Sequence, residues 1–350
     1  MKKKLCLVTG ACGFVGSHMV ELLLDHGYEV RATDLIGSER GVNFGILKER
    51  GIEVIPSDLT KPETLKDVCK DVEFVFHTAA FFAYEGSWKK LYDINVNGTR
   101  NLCQALVQYG NVKRFINWSS GSVYGLPRKE YKEIREGYHL NPCNNYGKSK
   151  MMQEQVVLEY LEYYKLPVTI LRCVPIYGPR AMYGLADMWM TYSKFPALFL
   201  PHNFDSGFPY VHVADVCGAA LFLAEEEKRN GEVYNIIDDP KYSTRHFFKT
   251  IAPLLNKKYV ELPIDYRIYT IFFKSIHFFV KLFSKIIRCK FLIYLRETML
   301  YATVDYRFSN SKLKKLDYKF KYSNREIGIS ETVQWFIEKG IIKVNKRNKM

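Results

Sequence analysis

Apolar residues in the first two-thirds of the chain follow two alternating patterns, short continuous runs and longer amphipathic stretches. Short runs are typical of strands buried in a parallel sheet, and longer stretches are typical of helices that cover it. The predicted strands are Leu5–Thr9, Glu29–Thr33, Glu53–Ile55, Phe74–His77, Arg114–Trp118 and Val168–Leu171, and the predicted helices are Phe14–His26, Leu91–Tyr109 and Lys148–Tyr164. The alternation predicts an α/β fold, a doubly wound parallel sheet with helices on both faces.

Beyond Gly178-Pro179 the alternation weakens, although two more strand-helix pairs follow. These pairs are Tyr210–Val213 with Ala214–Glu225, and Glu232–Ile236 with Ser243–Leu255. The pattern therefore predicts a sheet domain at residues 1–178 with a returning segment near 208–240. Residues 179–207 and 241–345 are expected to form a smaller, mostly helical C-terminal lobe.

Composition excludes several classes of protein. With 47% hydrophobic and 25% charged residues, the chain of 350 residues is globular rather than disordered. Its eight cysteines form no CxxC pair or Cys/His cluster, so we predict neither a disulfide framework nor a metal site. The basic N-terminus leads only into a short apolar run that ends in a glycine turn, which argues against a secretory signal. We expect a cytoplasmic protein without a simple membrane span.

A glycine-rich turn joins the first strand to the first helix, in the sequence TGACGFVG. Gly10 permits a tight turn, Gly13 lets the backbone approach a pyrophosphate, and Gly16 lets the helix pack closely on the strand. The free N–H groups of the helix N-terminus then face the phosphates. The predicted dinucleotide-binding residues are Gly10, Gly13, Phe14, Val15 and Gly16. A sheet that begins in this way is of the Rossmann type.

Asp34 ends the second strand, 18 residues after Gly16. A carboxylate near this spacing accepts hydrogen bonds from the hydroxyls of the adenosine ribose. It would repel a 2′-phosphate, so the sequence favours NAD over NADP. Arg31 and Arg40 lie close enough in sequence to keep NADP open.

Tyr146 and Lys150 form a Tyr-xxx-Lys pair at the start of a predicted helix, where both side chains share one face. A lysine cation there would lower the pKa of Tyr146, so that the tyrosinate can take a hydroxyl proton. The pattern alone is not specific in a chain with 25 tyrosines. A second copy, Tyr109 and Lys113, spans the helix stop at Gly110 and is interpreted as structural.

Serines follow the strand Arg114–Trp118, in the sequence SSGSVYG. Ligands of open parallel sheets bind at the carboxyl ends of the strands. A serine at this edge can donate a hydrogen bond to a carbonyl or alkoxide oxygen beside the tyrosine.

These motifs together resemble those of an extended short-chain dehydrogenase/reductase of the NAD-dependent epimerase/dehydratase superfamily. The matching segments, between residues 4 and 255, are TGACGFVG, SDL, HTAA, NVNGT, SSGSVYG, YGKSK, LRCVPIYGPR and YVHVADV. The resemblance implies that Ser120 is the catalytic serine beside Tyr146 and Lys150. It further implies that Asp58 and Leu59 flank the adenine, that Ala79, Ala80 and Asn95 line the cofactor cleft, and that the backbone near Val174 and Pro175 touches the nicotinamide. Members often dimerise through paired long helices, so Leu91–Tyr109 and Lys148–Tyr164 are candidate elements of a homodimer interface.

The chain departs from the pattern of members that act on nucleotide-sugars. Pro175 stands where those members typically carry an asparagine, and residues 203–209 lack the arginine that grips a diphosphate. The aromatic segments 81–88 and 195–201 suggest an apolar substrate pocket, although core packing explains such residues equally well. The pattern is more similar to the 3β-hydroxysteroid dehydrogenase-like branch, whose members handle sterols, isoprenoids and long-chain lipids.

The formal net charge of +14 is concentrated in part in Tyr266–Arg296, which holds seven basic residues and no acidic one. On a helical wheel Lys274, His277, Lys281, Ser284, Lys285 and Arg288 fall on one narrow face, and aromatic and aliphatic residues fill the rest. We interpret 268–290 as an amphipathic helix in an anionic membrane interface, with docking on the lobe as the alternative. Nucleic-acid binding is not predicted, because no binding motif is present.

The sequence thus predicts an NAD-dependent oxidoreductase that interconverts a secondary alcohol and a ketone on a hydrophobic substrate. Two alternatives stay open, a nucleotide-sugar epimerase or dehydratase and a non-catalytic dinucleotide-sensing regulator. The intact serine, tyrosine and lysine set argues against the regulator.

Overall fold

The computed structural model describes residues 4–35, 37, 42–83, 86–127, 132–204, 206–226, 229–238, 243–269, 271–272, 275, 278 and 304–343. Its strands are β1 Leu5–Thr9, β2 Glu29–Asp34, β3 Val54–Pro56, β4 Phe74–His77, β5 Arg114–Ser120, β6 Val168–Cys173, β7 Ile176–Tyr177, β8 Ala197–His202, β9 Val211–His212, β10 Val233–Ile236 and β11 Lys258–Asp265.

Seven parallel strands form the central sheet in the order β10-β6-β5-β4-β1-β2-β3. The sheet confirms the predicted doubly wound α/β fold. Strands β1 and β4 have the predicted bounds, whereas β5 and β6 each run two residues further than predicted. The extension makes Ser119 and Ser120 part of β5, so both are held at the carboxyl edge of the sheet by its hydrogen-bond ladder.

Helices cover both faces of this sheet. They are α1 Phe14–Asp25, α2 Val42–Glu49, α3 Lys66–Cys69, α4 Trp88–Leu91, α5 Gly98–Tyr109, α6 Asn145–Tyr164, α7 Leu185–Tyr192, α8 Val213–Glu225, α9 Thr244–Leu254, α10 Ser311–Lys314 and α11 Arg325–Glu338. The predicted helix Leu91–Tyr109 begins earlier, as α4, and passes through a π-helical turn, Tyr92–Asn97, into α5. The sequence does not predict the π-helical turn, which inserts an extra residue into the helical repeat.

Two further pairs of parallel strands, β8 with β11 and β7 with β9, lie outside the central sheet. Trp189 is fully buried between the rings of Tyr177, Phe247 and Phe336. The division into a sheet domain and a smaller C-terminal lobe stays a prediction. A buried ion pair between Arg325 and Asp238 attaches α11 to the end of β10, with a distance of 2.7 Å from Nε to Oδ1. Both residues are fully buried, so their attraction is not screened by solvent.

No helix within the described ranges is both long and apolar enough to cross a bilayer. Most of the predicted amphipathic helix 268–290 lies outside the described residues, which include only 268–269, 271–272, 275 and 278 of it. The structure contains one chain, so the homodimer stays a prediction.

We expect Asp238→Asn to lower the free energy of unfolding by about 3–5 kcal/mol, because it leaves the buried Arg325 cation without its counter-charge. Denaturant unfolding would measure the change. The matched control is Asp25→Asn, which breaks an exposed pair with Arg50 and should cost less than about 1 kcal/mol. Equal effects of the two substitutions would contradict this interpretation.

Candidate active site

The glycine-rich turn approaches the neighbouring backbone so closely that side chains are excluded. Gly10 has a φ of +68°, and a Cβ atom on it would lie 2.8 Å from the Cα atom of Ala79. A Cβ atom on Gly16 would lie 2.0 Å from the carbonyl oxygen of Gly10. Gly13 caps α1 without a side-chain hydrogen bond, so the first N–H groups of the helix, including those of Phe14 and Val15, lack side-chain capping. This bare cradle fits a pyrophosphate.

Asp34 lies at the rim of this cradle. Its carboxylate accepts hydrogen bonds from the backbone N–H of Cys12, at 2.8 Å, and of Leu35, at 2.7 Å. Burial raises the pKa of Asp34, and the two N–H donors oppose this effect. Arg31 points elsewhere, because its guanidinium donates to the carbonyl oxygens of Val68 and Lys70. Arg31 is therefore committed to the protein backbone instead of a 2′-phosphate, whereas Arg40 lies outside the described residues.

One cavity of about 1320 Å³ extends from this cradle to residues of α7, β8 and α9. Its lining includes the glycines, Phe14, Val15, Asp34, Asp58, Leu59, Ala79, Ala80, Ser120, Tyr146, Lys150, Val174 and Pro175. The structure thus brings together every predicted site residue except Asn95. The Asp58 carboxylate also holds its own turn, by accepting from the backbone and hydroxyl of Thr60 at 2.9 and 2.7 Å.

Asn95 lies behind the cleft instead of lining it, which differs from the expectation based on resemblance. Its side chain is almost fully buried in the π-helical turn and bonds to the backbone N–H and carbonyl of Phe81, at 2.8 and 3.0 Å. It also donates to Ser149 Oγ at 3.0 Å. Asn95 therefore ties the loop after β4 to helix α6, and it positions the lining without touching the cavity.

Tyr146, Lys150 and Ser120 all line the cavity where the start of α6 packs against the end of β5. Asn144 caps α6 by accepting from the Gly147 N–H at 2.8 Å. A Cβ atom on Gly147 would lie only 2.6 Å from the Ser122 carbonyl oxygen, so the glycine permits this close approach. The Ser120 and Ser122 hydroxyls are 2.6 Å apart, which gives Ser120 a neighbour that can orient its proton.

Lys150 is 2% exposed, and burial lowers its pKa to about 8, against the opposing effect of the Glu154 carboxylate. His77, at the end of β4, lies between the hydroxyls of Thr9 at 2.8 Å and Thr99 at 2.9 Å. Burial lowers the pKa of His77 to about 3, and the positive charge of Lys150 contributes to the same effect to a smaller extent. The imidazole is thus neutral at physiological pH, and Lys150 is the cation of this site.

Aromatic rings surround Tyr146. The ring of Phe82 meets it edge-on at 4.9 Å between centroids, and Tyr183 lies 5.4 Å beyond Phe82. The segments 81–88 and 195–201 were predicted to be apolar pocket walls, and both contribute lining residues: Phe81 and Phe82 from the first, and Phe195 and Ala197–Leu200 from the second. Tyr84 and Glu85 lie outside the described residues. Tyr183 was not predicted as a site residue, because it lies between the motifs LRCVPIYGPR and YVHVADV and has no periodic pattern around it.

We expect Asp34→Ala to weaken NADH binding by about tenfold or more, because a hydrogen bond to a charged group contributes about 1.5–3 kcal/mol. The preference for NADH over NADPH should shrink at the same time, since the repelling carboxylate is gone. Fluorescence titration with both cofactors measures this. Glu29→Ala, at the exposed start of the same strand, is the control. Unchanged NADH affinity in Asp34→Ala would exclude the proposed ribose contact.

Comparison with known proteins identifies the family to which this chain belongs. The model of the NAD dependent epimerase/dehydratase family matches residues 6–236. A UDP-N-acetyl-alpha-D-glucosaminuronate decarboxylase from Bacillus cytotoxicus is 26% identical over 349 residues, which are 96% of this chain and 98% of that protein. Sterol demethylase protein B from Methylococcus capsulatus is 32% identical over 235 residues, 65% of this chain and 68% of that protein. A sterol-4-alpha-carboxylate 3-dehydrogenase, decarboxylating, from Bos taurus is 28% identical over 275 residues, 76% of this chain and 74% of that protein.

Solved structures agree with the fold. The crystal structure of gox2253 superposes with a TM-score of 0.79 at 24% identity and covers 98% of this chain and 100% of that one. The dTDP-glucose 4,6-dehydratase from Bacillus anthracis, solved in complex with NAD, has a TM-score of 0.71 at 25% identity and covers 96% of this chain and 97% of that one. The family and the cofactor predicted from the motifs are thereby confirmed. The chain belongs to the NAD dependent epimerase/dehydratase family, as an NAD-dependent enzyme of the extended short-chain dehydrogenase/reductase type.

Proposed function

We propose that this enzyme interconverts a secondary alcohol and a ketone on an apolar substrate, of the sterol, isoprenoid or long-chain lipid kind. The wall of the cavity on the side of α7, β8 and α9 carries the proposal. It is formed by aromatic and aliphatic side chains, namely Leu185, Met188, Tyr192, Phe195, Leu198, Phe199, Leu200, Phe204, Phe208, Phe248 and Tyr269. Such a wall suits a ligand that buries hydrocarbon.

The charges in the cavity support an apolar substrate. Among the described lining residues the only cations are Lys150, beside Tyr146, and Lys90. The ammonium group of Lys90 lies 4.1 Å from the centre of the Phe81 ring, in a cation–π contact. A substrate diphosphate would find no arginine among these lining residues, and a buried anion without partners is costly.

The chemistry would follow from the catalytic cluster. In oxidation Ser120 donates a hydrogen bond to the substrate oxygen, and Tyr146 accepts the hydroxyl proton as the carbonyl forms. Lys150 favours the tyrosinate through its charge, and Ser122 orients Ser120. The glycine-rich turn and Asp34 would hold NAD, which when bound supplies the hydride acceptor or donor. In reduction the same groups act in reverse, and Tyr146 donates the proton.

The relatives support two substrate classes. Two of them are named for sterol chemistry, which agrees with the aromatic wall. The decarboxylase from Bacillus cytotoxicus, however, matches nearly the whole chain and is named for a UDP-linked sugar. A nucleotide-sugar epimerase, dehydratase or decarboxylase is therefore the second candidate function. It would require diphosphate contacts from residues other than the described lining.

We expect NADH absorbance to rise when the enzyme and NAD are incubated with sterol or long-chain secondary alcohols. Tyr146→Phe should lower kcat by about 10²–10⁴-fold, because it removes the proton acceptor. Tyr109→Phe, in the other Tyr-xxx-Lys pair, is the control and should retain the rate. Full turnover by Tyr146→Phe would contradict the mechanism. Turnover of UDP- or dTDP-sugars, followed by product analysis, would replace the apolar substrate with the second candidate.

We also propose that the described helical residues Ile268, Ile271, Phe272 and Phe278 contact an anionic bilayer. Ile268, Ile271, Phe272 and Phe278 have helical backbone and are 60–66% exposed, so the described apolar residues of this segment face outward. Tyr269, in contrast, lines the cavity and packs against Phe204 at 5.8 Å. The seven cations of Tyr266–Arg296, without an acid, supply charge complementary to anionic lipid.

We expect Ile271→Asp to reduce sedimentation with phosphatidylserine-containing liposomes by about tenfold, because an exposed apolar anchor becomes an anion. Ile327→Asp is the matched control, since Ile327 is similarly exposed, at 60%, but lies on α11. Liposomes of phosphatidylcholine alone test the contribution of lipid charge. Unchanged sedimentation of Ile271→Asp, or no sedimentation of the unaltered enzyme, would exclude this bilayer contact.

A further inference from the structure

Glu154 is a buried carboxylate one helical turn beyond Lys150 on α6, and it has no part in the proposed proton transfer. Residues 146, 150 and 154 are spaced by four, so they share the face of α6 that packs on the sheet. Glu154 and Lys150 are both only 2% exposed. Burying a carboxylate next to a catalytic cation is costly unless its partners are well placed, so the contacts of Glu154 require an explanation.

Those contacts join Glu154 to the neighbouring strands β5 and β6. Arg172 on β6 binds it in two places, from Nη2 to Oε2 at 2.7 Å and from Nε to Oε1 at 2.9 Å. The hydroxyl of Ser119 on β5 also donates to Oε1. Ser119 and Arg172 are paired neighbours in the sheet, and Ser119 directly precedes Ser120. Glu154 therefore holds the strand end that carries the catalytic serine.

Arg172 extends the network away from the cavity. Its Nη1 donates to the hydroxyl of Tyr124 and to the carbonyl of Glu136, both at 3.0 Å. The Tyr124 hydroxyl donates to Asn235 at 2.7 Å, and Asn235 in turn bonds to the carbonyl of Ser309 at 3.4 Å. These bonds fix the position of the guanidinium, so Glu154 has a rigid counter-ion and is itself held in one place.

We propose that Glu154 is a positioning residue of the active site, which through Arg172 and Ser119 sets the charge of Lys150 and the placement of Ser120. The Glu154 carboxylate favours the ammonium form of Lys150 against the effect of burial. The Arg172 guanidinium partly offsets the negative charge of that carboxylate, so the ion pair of Glu154 and Arg172 sets the net electrostatic effect on Lys150. This proposal rests on the proposed roles of Tyr146, Lys150 and Ser120, but not on the identity of the substrate.

Several other titratable groups lie near Lys150 or near the Glu154–Arg172 pair and bear on the pH dependence. They are His77 from β4, Tyr124 and Glu136 from the segments after β5, Tyr146 from α6 itself, and Cys173 from β6. Burial raises the pKa of Cys173 to about 12 and that of Tyr124 to about 12. Below pH 10 the thiol and the phenol are therefore mainly neutral, and His77 is neutral above about pH 3. Glu154 and Arg172 are the charges that substitution can change close to Lys150.

The test is the pH at which Tyr146 ionises in the NAD-bound enzyme, which needs no substrate. It is read from the near-ultraviolet tyrosinate band as the difference between each protein and the same protein with Tyr146→Phe. Glu154→Gln removes the negative charge that favours the Lys150 ammonium, so Lys150 loses its proton at lower pH. Without that cation the tyrosinate is less favoured, and the pH at which Tyr146 ionises should rise by about one unit. Arg172→Gln removes the cation that opposes Glu154, so Lys150 keeps its proton to higher pH and the pH at which Tyr146 ionises should fall.

A merely structural role would not give shifts of opposite sign. The control is Glu159→Gln on the same helix, where an exposed pair with Arg100 is lost and no shift is expected. Shifts in one direction for both variants, or shifts no larger than that of Glu159→Gln, would overturn the proposal. If Glu154→Gln fails to fold by circular dichroism, Arg172→Gln decides alone, with a downward shift in support and any other result against. Loss of turnover in Tyr146→Phe separately tests the catalytic role on which the proposal rests.

Discussion

The architecture of the site depends on one constraint, the direct approach of backbone to backbone where side chains would collide. The loop after β1 touches the loop after β4 because Gly10 carries no Cβ atom. Helix α1 packs directly on the loop after β1 because Gly16 has no Cβ atom either. The start of α6 reaches the turn after β5 by the same means, at Gly147. These contacts bring the ends of β1, β4 and β5 and the first turns of two helices to one edge of the sheet. The cradle, the tyrosine and the serine share one cavity as a result.

Most of the fold could be predicted because its signals are local. The strand β1, the glycine turn and α1 follow each other within about two dozen residues, and buried parallel strands have a strong apolar pattern. The π-helical turn at Tyr92–Asn97 could not be predicted in this way, since it depends on what the helix packs against. The small β8–β11 sheet was not predicted either, because neither of its strands belongs to the strand-helix alternation from which the central sheet was inferred.

The residues of the candidate site likewise differ in whether local sequence or distant contacts determine their position. Gly10, Asp34, Tyr146 and Lys150 stand in short motifs whose spacing implies their chemistry, so sequence alone assembles them. Asn95 also stands in a motif, but its place behind the cavity follows from bonds to Phe81 and Ser149, across separations of 14 and 54 residues. Glu154 could have been suspected from its spacing to Lys150, yet nothing local indicates that Arg172 would bind it. Contacts of this kind exist only once the sheet has brought β5 and β6 together.

The π-helical turn has a consequence for how this region can change. A single additional residue in a helix rotates everything beyond it by about 100°. Asn95 faces inward from the turn, while Leu102, Cys103 and Leu106 face inward from α5 further along. Deleting one residue between them would leave one of these two sets facing the wrong way. An insertion or deletion in this stretch would therefore break either the bonds of Asn95 to Phe81 and Ser149 or the burial of Leu102, Cys103 and Leu106.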